Sequence, residues 1–228
     1  MKYSYPYPRP ALAVDAVVFG FADEDVCGLF IERALEPFKG RWALPGGFVR
    51  PGETPEAAAR RELGEEGGIQ QEIYLEQLYT FGDPERHPGD WVVSVAYYAL
   101  VRKDRFNVKP GSDAKDAQWF SLKKRPALAF DHGRIVDTAL QRLRSKVHYQ
   151  PIGFELLPEQ FTYAELQQLY EAILGEALDK RNFRKKFDSL GILREVGVVP
   201  TGKRPATTYE FDRKKYQQMQ RRGFHFEV

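Results

Sequence analysis

The sequence predicts an α+β chain in two parts, a mixed β-sheet with helices packed on it and then a smaller winged helix-turn-helix module. Three observations predict it. Apolar, β-branched runs and amphipathic helical segments fill the chain to about residue 147. The pattern breaks at two prolines and a glycine within 149–158. Beyond the break the order is helix, short turn, helix and two strand-like runs, which is the order of a winged helix. One domain is therefore expected over 1–150 and a second over 151–228.

Residues 11–21 (ALAVDAVVFGF) and 27–34 (CGLFIERA) read as paired strands around the acidic turn FADED. RWALPGGFV follows as a strand broken by Pro-Gly-Gly. A helix starts near Thr54, a suitable N-cap before Pro55, and Gly67-Gly68 stops it after Glu66. Residues 71–82 and 91–102 have strand character around the polar loop DPERHPGD, and AQWFSL at 117–122 is a last short strand. From Asp131 to about Val147, Ile135, Leu140 and Leu143 recur at helical spacing. In the second part, Thr162 and Glu165 fit a capping box ahead of the stripe Leu166, Leu169, Tyr170, Ile173, closed by Gly175. Asp179 caps the next helix, with Phe183, Phe187 and Leu190 inward and Gly191 at its end. ILREVGVV and ATTYEF then flank the turn Pro200-Thr-Gly-Lys-Arg-Pro205.

The 228 residues are 43% hydrophobic and 29% charged, which excludes a disordered or disulfide-scaffold class. A single cysteine, Cys27, reads as a small buried hydrophobe in a reducing cytoplasm. No apolar run is long enough for a membrane span and no secretory signal is legible. The net charge of +2 excludes a polycationic nucleic-acid coat. Its distribution is uneven, however. Residues 151–178 carry five acids and no Lys or Arg, whereas 179–222 carries 13 basic against five acidic residues, which points to an anionic partner for the C-terminal part.

The strongest chemical signal runs from Gly47 to Ile69: Gly47, Glu53, Arg61-Glu62-Leu63, Glu65-Glu66 and Gly68-Ile69. On a helix Glu62 lies three and four residues before Glu65 and Glu66, so their carboxylates share a face. Carboxylates so crowded call for a neutralising cation, and hard oxygen donors select Mg²⁺ or Mn²⁺. An exposed acidic helix paired with Arg60 and Arg61 is the plain alternative. The full spacing, Gly-x5-Glu-x7-Arg-Glu-hydrophobic-x-Glu-Glu-x-Gly-hydrophobic, matches every fixed position of the Nudix box. The resemblance implies an α/β/α sandwich over roughly 8–150 and cleavage of nucleoside diphosphates linked to another moiety. It implies Glu62 and Glu66 as metal ligands with help from the Gly47 carbonyl, and Glu65, Arg61 and Glu53 as the catalytic set, with Arg61 orienting a glutamate.

Near the box, Arg33, Phe38, Trp42 and Phe48 are candidates to grip phosphate or stack a base, although each type also serves packing. Glu85 is a candidate base outside the box, and His132 is expected only to cap the helix that follows it. In the second part, with Phe183 and Phe187 inward, Arg181, Asn182, Arg184 and Lys185 are left on an exposed face suited to a major groove, and Lys203 and Arg204 form a wing tip.

The combination of the box with ELQQLYEAILGEALDKRNFRKKF and GKRPATTYEF, and with EQLYTFGDPERHPGDWVVSVAYYALV and LAFDH, resembles the Nudix-related transcriptional regulators of NAD metabolism. That resemblance implies a homodimeric repressor that binds a palindromic double-stranded operator and releases it on binding ADP-ribose or a related nucleotide. Many such regulators carry a degenerate box, whereas this one is complete. An Mg²⁺-dependent ADP-ribose pyrophosphatase with an accessory domain is therefore the second reading. A sugar-responsive Nudix-fold regulator, a group in which the box is commonly eroded, is the third.

Overall fold

The computed structural model describes residues 6–69, 73–106, 114–200 and 205–221. They fall into two compact units, one made of the described residues within 1–20 and 27–139 and the other of those within 21–26 and 140–228.

The first unit is built on a seven-stranded sheet. Strand β1 (Ala11–Ala22) and β2 (Asp25–Arg33) are hairpin partners joined by Asp23 and Glu24, whose φ values of 52° and 59° suit the right-handed strand twist across a two-residue turn. The broken strand predicted around Pro-Gly-Gly is two short pieces, β3 (Trp42–Ala43) on β2 and β4 (Gly46–Phe48) on β1. Helix α1 (Pro55–Gly67) follows, capped by Thr54 Oγ1, which accepts the Ala57 N–H at 3.1 Å, and ended by Gly68 at φ 68°. Next come β5 (Tyr74–Phe81), β6 (Val92–Leu100) and β7 (Ala114–Ser121), then α2 (His132–Tyr149). The strand order is β3-β2-β1-β6-β5, with β4 on β1 and β7 on β2. Strands β1 and β6 run parallel and the other pairs antiparallel, so the sheet is mixed as expected.

Alternation along β1 sorts the layers. Val14, Ala16 and Val18 face one side, where Val14 meets Ala58 and Ala59 of α1 and Ala16 and Val18 meet Leu63. Asp15 faces the other side, toward His132 at the start of α2. Helices thus cover both faces, giving the α/β/α sandwich.

The second unit contains the last part of α2, a 3-10 turn at Ile152–Leu156, β8 (Phe161–Thr162), α3 (Tyr163–Leu174), α4 (Lys180–Leu190), β9 (Leu193–Val199), β10 (Ala206–Phe211) and α5 (Arg213–Arg221). The caps follow the sequence: the Thr162/Glu165 box, Asp179 at the head of α4, and Gly175 and Gly191 in the left-handed region at the helix ends. A three-stranded antiparallel sheet, β8-β10-β9, backs the helices. The core is aromatic. Phe187 and Tyr170 are fully buried and 5.5 Å apart, Phe183 packs on both, and Phe154 stacks on Phe211 at 4.0 Å. Strand β8 and helix α5 add to the predicted elements. Among the described residues no helix is long and apolar enough to cross a membrane.

Candidate functional site

The acidic helix is organised by one guanidinium. Arg61 donates from Nε and Nη2 to both Glu53 oxygens at 3.1 and 2.8 Å, and from Nη1 to Glu62 Oε1 at 2.5 Å and Glu65 Oε2 at 3.2 Å. Its Nη2 also reaches the Phe48 carbonyl at 3.1 Å, tying α1 to β4. Bidentate pairing of this kind fixes orientation as well as charge. The Arg61 fork and the Arg50 N–H hold the Glu53 carboxyl down at about 2. Burial pushes the Glu62 carboxyl up, against the pull of Arg61.

Glu66 takes a different partner. Its Oε2 accepts the Gly46 N–H at 2.9 Å, so the turn between β3 and β4 rests on the last carboxylate of the helix. As placed, Glu53, Glu62 and Glu65 lie around Arg61, and Glu66 accepts from Gly46. Among the described residues no three acidic, His or Cys side chains stand close enough to hold one ion as placed. The two glycines are there for space. A Cβ on Gly46 would lie 2.3 Å from the Val14 carbonyl oxygen, and one on Gly47 would lie 2.3 Å from Glu62 Oε1.

The four candidate ligand contacts divide. Arg33 donates from Nε to the Pro37 carbonyl at 2.8 Å and lies 4.8 Å over the Phe130 ring. Phe38 meets the same ring edge-on at 4.9 Å, and Trp42 meets Phe120 edge-on at 4.7 Å. Phe48, beside Gly47, is exposed. Glu85 is exposed on the loop between β5 and β6.

His132 is corrected by the structure. Rather than merely capping α2, it is its first residue and is buried, with Nδ1 accepting the Leu44 N–H at 2.9 Å and Nε2 facing Asp15 Oδ1 at 3.2 Å. Asp15 Oδ2 also accepts from Ser94 Oγ at 2.6 Å and Arg86 Nη2 at 3.0 Å, and Arg86 reaches Asp131 at 2.8 Å. Burial alone would raise the Asp15 carboxyl, but His132, Arg86 and Ser94 together hold it well below the usual carboxylate range. This network behind the 44–47 turn was missed in the sequence. The available signal was one aspartate in an otherwise apolar strand, since a buried charge requires a partner.

In the second unit α4 turns Phe183 and Phe187 inward and leaves Arg181, Asn182, Arg184 and Lys185 exposed, as the sequence predicts. Arg181 and Lys185 have no ion-pair partner among the described residues. Arg184 lies 4.9 Å over the Tyr163 ring. Lys203 and Arg204 lie outside the described residues.

The NUDIX domain family matches residues 9–139, and the NrtR DNA-binding winged helix domain matches 153–211. The chain belongs to the NrtR-type branch of the Nudix family. It is 36% identical over 215 residues to an ADPR-responsive transcriptional repressor, NtrR, of Acinetobacter baylyi, covering 92% of this chain and 85% of that protein. The crystal structure of Shewanella oneidensis NrtR complexed with a 27mer DNA matches with a TM-score of 0.82 at 30% identity, over 94% of this chain and 97% of that one. The Nudix part is also 41% identical over 130 residues to an ADP-ribose pyrophosphatase of Methanocaldococcus jannaschii, covering 57% of this chain and 73% of that protein. Nudix hydrolases of this kind generally use divalent metal ions.

Proposed function

We propose that this Nudix chain is a homodimeric repressor of genes for NAD synthesis or salvage, released from a palindromic operator when its first unit binds ADP-ribose or a related nucleotide. The observation that carries the reading is the exposed basic face of α4 beside a β-hairpin, in a chain whose other unit has a complete Nudix box. In this reading Arg181, Asn182, Arg184 and Lys185 enter a major groove, with Lys203 and Arg204 on the backbone or minor groove. Two such helices in a dimer would address half-sites one or more helical turns apart, ~34–36 Å each. A ligand that favours a different dimer geometry lowers DNA affinity, and linkage requires DNA to lower ligand affinity by the same factor. Helix α2, which belongs to both units, is the element assigned to carry the change. Arg33, Phe38, Trp42 and Phe48 are the proposed ligand contacts.

The site is suited to a divalent ion by donor type and charge. Three carboxylates, Glu53, Glu62 and Glu65, surround Arg61, a fourth, Glu66, lies under Gly46, and all offer the hard oxygens that Mg²⁺ or Mn²⁺ prefers. Glu62, Glu66 and the Gly47 carbonyl would hold the ion, which supplies charge neutralisation at a diphosphate and an activated water. Arg61 keeps Glu53 ionised and sets the rotamers of Glu62 and Glu65. This assembled network favours a second reading, ADP-ribose pyrophosphatase activity, alongside regulation.

Anisotropy titration of the promoter DNA from the gene's own neighbourhood tests both, repeated with ADP-ribose and Mg²⁺ while ADP-ribose consumption is followed. Binding released by ADP-ribose supports the repressor. Rapid consumption with no DNA binding supports the enzyme alone.

A further inference from the structure

Arg184 is held in a way its neighbours on α4 are not. Its guanidinium lies 4.9 Å from the centroid of the Tyr163 ring, and its Nε is 3.6 Å from Asp188 Oδ2 on the next turn of α4. Tyr163 donates its hydroxyl to Asp188 Oδ1 at 2.5 Å. Tyr163 is itself fixed from two further directions, as the first residue of α3 and by edge-on contact with Tyr209 of β10 at 4.9 Å. One ring thus gathers α3, α4 and the hairpin behind a single arginine that remains exposed. Burial and the Asp188 carboxylate raise the Tyr163 hydroxyl above its ordinary range, so it remains a donor at any working pH.

Two physical consequences follow. A guanidinium held over an aromatic face loses part of its side-chain freedom, and among the described residues nothing hydrogen-bonds the Arg184 fork. A carboxylate on a DNA-facing helix repels phosphates. Asp188 therefore works against indiscriminate backbone contact while its attraction for Nε helps to keep Arg184 in place.

We propose that Tyr163 and Asp188 form a clamp that presents Arg184 to a base edge, making Tyr163 a positioning residue for sequence discrimination. This rests on the reading of α4 as an operator-recognition helix. Arg181 and Lys185, which lack such a clamp, supply affinity without discrimination.

The test is in vitro selection from a randomised duplex pool by the full-length chain, with salt-dependent affinities measured on the enriched duplex and on a scrambled one. Wild type, Arg184→Ala, Tyr163→Phe, Asp188→Asn and Lys185→Ala are compared. Tyr163→Phe keeps the ring and deletes only the hydroxyl of a half-buried side chain, and Asp188→Asn alters an exposed one, so two routes probe the clamp without disturbing the core. Arg184→Ala is expected to flatten the enriched motif at one position per half-site, with roughly a tenfold loss of base preference. Tyr163→Phe should flatten that same position more weakly with its salt slope unchanged. Asp188→Asn should flatten it while tightening binding to the scrambled duplex. Lys185→Ala should leave the motif sharp.

A Tyr163→Phe protein and an Asp188→Asn protein that both enrich the wild-type motif with equal sharpness would overturn the clamp, as would an Arg184→Ala protein that does so. If the wild-type chain enriches no sequence, the operator-recognition reading fails first, and the clamp fails with it.

Discussion

Nδ1 of His132 accepts the backbone N–H of Leu44 at 2.9 Å, a bond between residues 88 positions apart. Because that nitrogen accepts, Nε2 carries the hydrogen of the neutral ring and donates to Asp15, so a single imidazole joins β1, the 44–47 turn and the head of α2. His132→Ala leaves the Leu44 N–H and an Asp15 oxygen without this partner in the interior. The expected cost is about 1–3 kcal/mol, read by chemical denaturation at constant m-value. Asp15→Ala, which leaves His132, Arg86 and Ser94 without their shared partner at once, should cost about 3 kcal/mol.

Gly46→Ala and Gly47→Ala separate fold from site. At Gly46 the new methyl meets the Val14 backbone, which cannot move without disturbing the β1–β4 pairing, and a loss of about 1–3 kcal/mol is expected. At Gly47 it meets the carboxylate end of Glu62, a side chain able to rotate away. Gly47→Ala should therefore be the milder change in thermal unfolding and the more damaging one in Mg²⁺ binding measured by calorimetry.

Glu53 holds its charge further into acid than an ordinary carboxylate. Its carboxyl is held at about 2 in the folded protein, below the ordinary value of 4.5. A depressed folded value means that the stabilisation is present above the ordinary value and is lost as pH falls from there through about 2. Glu53→Gln should remove that part of the pH dependence, so the unfolding curves of wild type and variant should converge at the acid end.

Glu62 has the opposite sign. Burial raises its carboxyl, so ionisation costs the folded state once pH exceeds the ordinary carboxylate range. In metal-free buffer Glu62→Gln is expected to raise the melting temperature at pH 7 relative to pH 4, and the same variant should weaken Mg²⁺ binding. Differential scanning calorimetry at the two pH values checks the sign.

On α4, charge alone predicts the behaviour of Lys185. Lys185→Ala should weaken binding to every DNA sequence alike and reduce the slope of log affinity against log salt by about 1. A sequence-dependent loss would move Lys185 from phosphate to base contact.

What the sequence made legible was local. Thr54, Thr162 and Asp179 announce helix starts, and Gly68, Gly175 and Gly191 announce stops, because caps are decided within a few residues. The Nudix box is equally local, lying within one turn and one helix. What stayed hidden depends on distance. Arg86 sits in a loop that reads as plainly polar, and its partner Asp15 is 71 residues away. The two-residue strand β8 is too short to show a period and exists only because β10 offers it an edge. Helix α5 is amphipathic but so rich in Lys, Arg and Gln that it adds to the basic count of 179–222 rather than showing an apolar stripe, and its anchor is Tyr216, 5.5 Å from Phe211.

The parallel pairing of β1 with β6 joins Ala11 to Val92 and Phe19 to Leu100 in unbroken register. During synthesis at ~5–20 residues per second, β1 emerges about 4–16 seconds ahead of its partner. In that interval β2 covers one edge of the strand and the other edge offers a row of unpaired amides flanked by Val14, Val17 and Val18. The slow, non-local closure of that edge sets the window in which the nascent chain is open to aggregation, and a ribosome that pauses between β2 and β6 would lengthen it.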